Sequence, residues 1–68
     1  MLDGNKVRNL RERHDLSIVE FAERMGVSHA MVSLMERGIK QPGIPLLQRM
    51  AEYFGCTTDE LLKKAGTA

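Results

Sequence analysis

The most constraining feature of this chain is its helix punctuation. Two runs, Ser17-Ile18-Val19-Glu20 and Thr57-Thr58-Asp59-Glu60, each place a hydroxyl residue three positions before a glutamate. That is the capping box, in which the hydroxyl and the glutamate each satisfy a backbone N–H left free at a helix start. Gly26, Gly38 and Gly55 each fall just past an apolar run, where a helix commonly ends on a left-handed residue. Sustained period-two alternation is absent and β-branched and aromatic residues are few, so strand signals are missing. The pattern predicts an all-α fold of five short helices with short connections, and no linker, repeat or low-complexity stretch.

The first helix is expected over Gly4–His14, with Val7 and Leu10 on one side and Arg11 and His14 beside them. Asp15 is expected to end it, because Asp tolerates the left-handed conformation better than most residues. The second helix starts after Ser17, carries the stripe Ile18, Phe21, Ala22 and Met25, and stops at Gly26. Ser28 caps the third, which turns Val32 and Met35 inward and ends at Gly38. After the loop 39–43 the fourth begins near Pro45, a residue suited to a first turn. It carries Leu46, Leu47, Met50, Ala51 and Phe54 inward and closes at Gly55. The fifth contributes Leu61 and Leu62. One domain over 1–68 is expected, with an ordered core over about 4–62 and a frayed tail over 63–68.

Sixty-eight residues allow a single domain, and a chain this short is marginal alone. It has one cysteine, so neither an internal disulfide nor a cysteine zinc cluster is available. A lone thiol fits a reducing cytoplasm. The hydrophobic content of 43% argues against disorder. No apolar run reaches the roughly 20 residues of a membrane span, and no signal-peptide pattern opens the chain. The net charge of +1 neither requires nor excludes a nucleic-acid partner.

The stretch 18–37 carries the functional signal. Two helices separated by three or four residues must cross steeply. Ala22 provides the small residue for close approach, and Gly26 provides the positive φ of the sharp turn. Phe21, Met25, Val27, Val32 and Met35 provide apolar contacts on both sides. The opposite side of the third helix is then left uncovered, and Ala30, Ser33, Leu34 and Arg37 lie on it.

LRERHDLS, FAERMGVS, VSLMERG and LLQRMAEYFGCTTDELL, taken in this order, resemble the phage repressor and Cro-like helix-turn-helix family, also called the XRE family. The resemblance runs from about Val7 to Leu62. It implies a compact five-helix DNA-binding domain whose third helix, about 28–37, is the recognition helix in the major groove. It assigns His29, Ala30, Ser33 and Leu34 to bases, with Ser28 at the rim, and assigns Ser17, Ile18, Ser28, Arg37, Lys40 and Gln41 to phosphates. It also implies a partly buried ion pair between Arg11 and Glu36. Two departures stand out: the first residue of the second helix, usually glutamine in this family, is Ile18, and the recognition face is apolar at Ala30, Met31 and Leu34. Apolar side chains touch thymine methyls but make few bidentate base contacts, which shifts weight toward shape readout and phosphates.

The remaining residues read more plainly. His14 suits a helix end, Cys56 a buried inert thiol, and Met25, Met35 and Met50 core packing. Lys63 and Lys64 suit solvated tail charges. Neither histidine has a nucleophile or carboxylate partner in a catalytic pattern, so no enzyme, metal, cofactor or small-molecule ligand is expected. The expected function is sequence-biased binding of double-stranded DNA by a cytoplasmic, bacterial or phage-encoded homodimer. The competing reading is a protein-interaction module, such as an antitoxin or accessory factor, docking through Ala30, Met31 and Leu34.

Overall fold

The computed structural model describes residues 1–63. Five helices follow one another: α1 Gly4–Arg13, α2 Ile18–Met25, α3 His29–Glu36, α4 Ile44–Phe54 and α5 Thr58–Leu61. The expected starts hold within a residue. Asp3 caps α1 by accepting from the Lys6 N–H, and both capping boxes form, at Ser17 with Glu20 and at Thr57 with Glu60. α4 begins one residue before Pro45, at Ile44, with Gly43 as a cap that offers no side chain. α1 ends at Arg13 rather than His14, and His14 is the capping residue.

One closure recurs at the ends of α1 to α4. A left-handed residue follows the helix, at Asp15 (φ 55°), Gly26 (71°), Gly38 (77°) and Gly55 (70°). The residue after each donates back over a full turn: Leu16 to the Arg11 carbonyl, Val27 to Ala22, Ile39 to Leu34 and Cys56 to Ala51. This is the Schellman arrangement, and it satisfies carbonyls that would otherwise be left bare.

The core gathers Val7, Phe21, Ala22, Met25, Val32, Met35, Met50, Ala51 and Leu61, with Leu16 and Leu2 added. Phe21 stacks on Phe54 at 5.3 Å between ring centroids with planes 21° apart, joining α2 to α4. Leu46, Leu47 and Phe54 are half-buried against this core rather than fully inside it.

Packing begins earlier in the chain than position 4. Leu2 is 1% exposed and forms an isolated antiparallel bridge with Leu62. The Asp3 N–H donates to the Leu61 carbonyl at 2.8 Å and the Lys63 N–H to the Met1 carbonyl at 2.7 Å. Lys63 is therefore tied by its backbone, while positions 64–68 of the expected frayed tail lie outside the described residues. The α1 start also packs closely on the α3 end: a Cβ at Gly4 would fall on the carbonyl oxygens of Met35 and Glu36.

Candidate nucleic-acid interface

The expected helix-turn-helix forms, and its parts sit where their chemistry requires. Ala22 is buried at the close approach of α2 to α3, and Gly26 occupies the left-handed position of the turn. Phe21, Met25, Val32 and Met35 are each at most 1% exposed, so α3 has one face committed to the interior.

Its other face carries the expected base readers. His29 and Ala30 are exposed, and Ser33 and Leu34 are half-buried. Leu34 lies outside the core cluster, whereas Met31 packs against it. The apolar patch Ala30, Met31 and Leu34 is thereby smaller than the sequence suggests, because the half-buried Met31 packs part of its side chain against the core. Ser28 caps α3 by accepting from the Met31 N–H at 3.1 Å, so the serine satisfies one of the N–H groups that a helix start leaves without an intrahelical partner.

The acid of α3 is withdrawn from that face. Glu36 is buried, with Oε2 accepting from Arg11 Nε at 2.7 Å and Oε1 from Arg11 Nη2 at 3.2 Å. Arg11 Nη1 donates to the Leu16 carbonyl at 2.8 Å, so one guanidinium joins α1, the segment entering α2, and the end of α3. Its hydrogen bond to the Glu36 side chain holds Arg11 above the ordinary arginine range, against the opposing effect of burial. The pair is more deeply buried than the partly buried one expected. Arg8, which the sequence reading passed over, lies on the same carboxylate at 3.4 Å from its Nε. Its local spacing points instead to Glu12, one turn on in α1, so nothing near it in the chain signals the distant Glu36.

The expected phosphate contacts divide. Arg37 and Lys40 are exposed just past α3, and the Lys40 N–H donates to the Leu34 carbonyl at 3.3 Å, fixing the backbone beside the helix. Gln41 is otherwise engaged: its Oε1 accepts from the Leu2 N–H at 2.7 Å, because the loop 39–43 folds over the N-terminal segment, so only its amide NH2 is left for a phosphate. Ile18 packs its side chain against the core and offers only its backbone N–H. Ser17 Oγ accepts from the Glu20 N–H at 3.1 Å, while the Ser17 N–H donates to Glu20 Oε1 at 2.9 Å. That backbone donor, followed by the Ser17 hydroxyl, lowers the Glu20 pKa. A phosphate at the start of α2 therefore shares the site with an ionised carboxylate.

The other singled-out residues are structural. The Nδ1–H of His14 donates to the Leu10 carbonyl at 2.8 Å, and its ring lies 5.2 Å from that of Phe54. Cys56 is half-buried, and burial followed by Glu60 raises its thiol pKa, which disfavours the reactive thiolate. No group of three or more metal-ligating side chains exists among the described residues.

A helix-turn-helix family model matches residues 7–61. The chain belongs to the phage repressor and Cro-like helix-turn-helix family. It is 33% identical over 63 residues to an uncharacterised HTH-type transcriptional regulator of Mycobacterium tuberculosis, covering 93% of this chain and 45% of that protein. It is 29% identical over 64 residues to the cryptic phage CTXphi transcriptional repressor RstR of Vibrio cholerae, covering 94% of this chain and 58% of the repressor. The chain thus spans about half the length of these relatives. Among solved structures it is similar to the P22 c2 repressor protein in complex with synthetic operator 9T, with a TM-score of 0.85 and 27% identity over 93% of this chain and 96% of the repressor chain.

Proposed function

We propose that this domain binds double-stranded DNA with sequence bias, as a repressor-like transcriptional regulator, by laying α3 in the major groove. The observation that carries the reading is the electrostatic finish of α3. Its inner face is filled by Val32 and Met35, its acid Glu36 is turned inward onto Arg11, and its outer face ends beside Arg37 and Lys40. A helix of eight residues is about 12 Å long, similar to the roughly 12 Å width of the major groove. His29, Ala30, Ser33 and Leu34 then face base edges, Leu34 and Ala30 by apolar contact with thymine methyls. Arg37, Lys40 and the free N–H groups at Ser28 hold the phosphates, with smaller contributions from the Ser17–Ile18 backbone and the Gln41 NH2. The relatives' names, which include a phage repressor, and the likeness to a repressor solved on an operator support the same reading.

The reading extends to two copies on a pseudo-palindrome, with recognition helices in successive major grooves about 34 Å apart, and to a cytoplasmic location. No helix among the described residues is long and apolar enough to cross a membrane. The role proposed is binding, not catalysis. The packing of half-buried Met31 against the core reduces the apolar patch that would favour a protein partner.

Selection of bound sequences from random duplex DNA tests the proposal, followed by Leu34→Glu. This variant is expected to fold, since Leu34 lies outside the core cluster, and to lose DNA binding, since a carboxylate in the groove meets acceptors and phosphates. Arg37→Ala and Lys40→Ala should each flatten the dependence of binding on salt by about one unit. A Leu34→Glu protein that folds and binds DNA as before would remove α3 from the interface.

A further inference from the structure

The end of α3 is anchored from outside the motif by Arg11 through Glu36. Its beginning has no such acid: it hangs from α2 by the turn 26–28, with Gly26 left-handed. Among the described residues, one long-range hydrogen bond reaches the end of α2 from which that turn leaves. Arg49, in the middle of α4, donates from Nη1 to the Met25 carbonyl at 2.5 Å, the last residue of α2. The same Nη1 lies 3.7 Å from where a Cβ on Gly26 would stand, so the guanidinium covers the turn itself. The neighbouring carbonyls of Ala22 and Glu23 are taken by the closing N–H groups of Val27 and Gly26. Arg49 thus satisfies a helix-end carbonyl that the Schellman closure leaves over, and it places a positive charge at the negative end of the α2 dipole.

We infer that Arg49 is a positioning residue for the recognition helix: by tying the α2–α3 turn to α4, it sets the angle at which α3 leaves the turn, and so the discrimination between DNA sequences. This rests on the DNA-binding reading above. The physical reason is leverage. A helix held by apolar packing on one face and by a polar anchor only at its far end keeps the most freedom at its start, and base-edge contacts need closer alignment than contacts to phosphates, which position the protein without reading sequence. From two helices outside the motif, Arg11 holds the far end of α3 and Arg49 holds the end of α2 from which the turn into α3 leaves. α4 is itself fixed, because Met50 and Ala51, the next two residues, are in the core.

The test compares the parent chain with Arg49→Met, which keeps an unbranched apolar stem without donors, and Arg49→Lys, which restores a donor and a charge. Two measurements are made. Amide hydrogen exchange of the free protein reports the turn, through the Gly26 and Val27 N–H groups, with the Leu16 N–H at the end of α1 as an internal control. Titration with a selected duplex and with a random-sequence duplex, each over a range of salt, reports recognition. In Arg49→Met, exchange at Gly26 and Val27 is expected to speed up about tenfold with Leu16 unchanged, the scale of one lost hydrogen bond to a charged group. The preference for the selected duplex should fall about tenfold with no change in salt slope, and Arg49→Lys should recover most of both. A uniform loss on both duplexes with the slope lower by about one would make Arg49 a phosphate contact and overturn the inference. So would unchanged exchange at the turn, or an equal acceleration at Leu16, which signals global rather than local loosening. If the parent binds no duplex, the DNA reading fails and the positioning of a DNA reader fails with it, while the exchange data still decide whether Arg49 holds the turn.

Discussion

The two helices of the motif are of equal length, eight residues each, and both begin at a serine whose hydroxyl caps the third N–H. Their beginnings are nonetheless chemically unlike. α2 closes its capping box with Glu20, so its first turn is satisfied from within and carries a negative charge. α3 has no acid in its first turn and leaves that end uncommitted. Their far ends share the Schellman turn but differ in the arginine that meets them: Arg49 donates to the last carbonyl of α2, while Arg11 pairs with the Glu36 carboxylate of α3. α2 is built to be complete in isolation from any partner. α3 is held firmly at its interior contacts and kept open at its outer face and start. That contrast is what a scaffold helix and a reading helix require.

The contrast breaks most visibly at the buried pair. Arg11→Met leaves the Glu36 carboxylate in the interior with only the 3.4 Å contact from Arg8. A loss of about 3–5 kcal/mol of stability is expected, the usual effect of removing one partner of a buried pair. Arg11→Met combined with Glu36→Met should recover much of it, because paired charges bring little net stability over apolar packing. Urea denaturation measures both, and an Arg11→Met midpoint equal to the parent's would show that Arg8 alone suffices.

The link between the two helices comes next. At Gly26 the φ of 71° strains any β-branched residue. Space is not limiting, since a Cβ would meet only Arg49 Nη1 at 3.7 Å. Gly26→Val should cost about 1–3 kcal/mol, whereas Gly26→Asn should cost less, as Asn tolerates the left-handed region. Equal losses would mean that crowding, not backbone conformation, governs the turn.

The caps sharpen the comparison further. Ser17→Ala and Ser28→Ala should each lower stability by about 1 kcal/mol. Only Ser28→Ala should also weaken DNA binding beyond what the stability loss explains, because its helix start faces the proposed ligand. Equivalent binding losses for the two variants would erase the distinction between the helix starts.

The smallest effect is a pH dependence. The Ser17 N–H, and then the Ser17 hydroxyl, depress the Glu20 pKa in the folded chain. Its contribution is therefore fully present above the ordinary glutamate range and is lost as pH falls through the lower folded value. Glu20→Gln retains an acceptor but not the charge, so the difference in thermal midpoint between parent and variant should shrink between about pH 5 and pH 3. A difference that stays constant across that window would mean that the carboxylate's charge is not what the box uses.

Legibility followed the range of each interaction. The caps at Ser17, Ser28 and Thr57, the stops at Asp15, Gly26, Gly38 and Gly55, and the inward set Phe21, Met25, Val32 and Met35 could all be read in advance. Each depends on residues within about one turn of the chain, where spacing determines geometry. The Arg11–Glu36 pair came only from family resemblance, since nothing within one turn of either residue announces it. Met31 reads in the sequence as part of the outer apolar patch, yet it borders both faces of α3, and only the position of the core shows that it also packs inward.

What the sequence by itself determined is where the helices begin and end, and which side of each is apolar. The tertiary structure alone decided that Leu2 belongs to the core, that Gly4 lets α1 approach the α3 carbonyls, that Gln41 turns its oxygen to the Leu2 N–H, and that Arg49 reaches the end of α2. Those contacts join residues 24 to 39 positions apart in the two hydrogen bonds. A polar side chain or a glycine carries no periodic signal of its distant partner, so the pairing exists only once the hydrophobic faces have packed and brought the groups within reach.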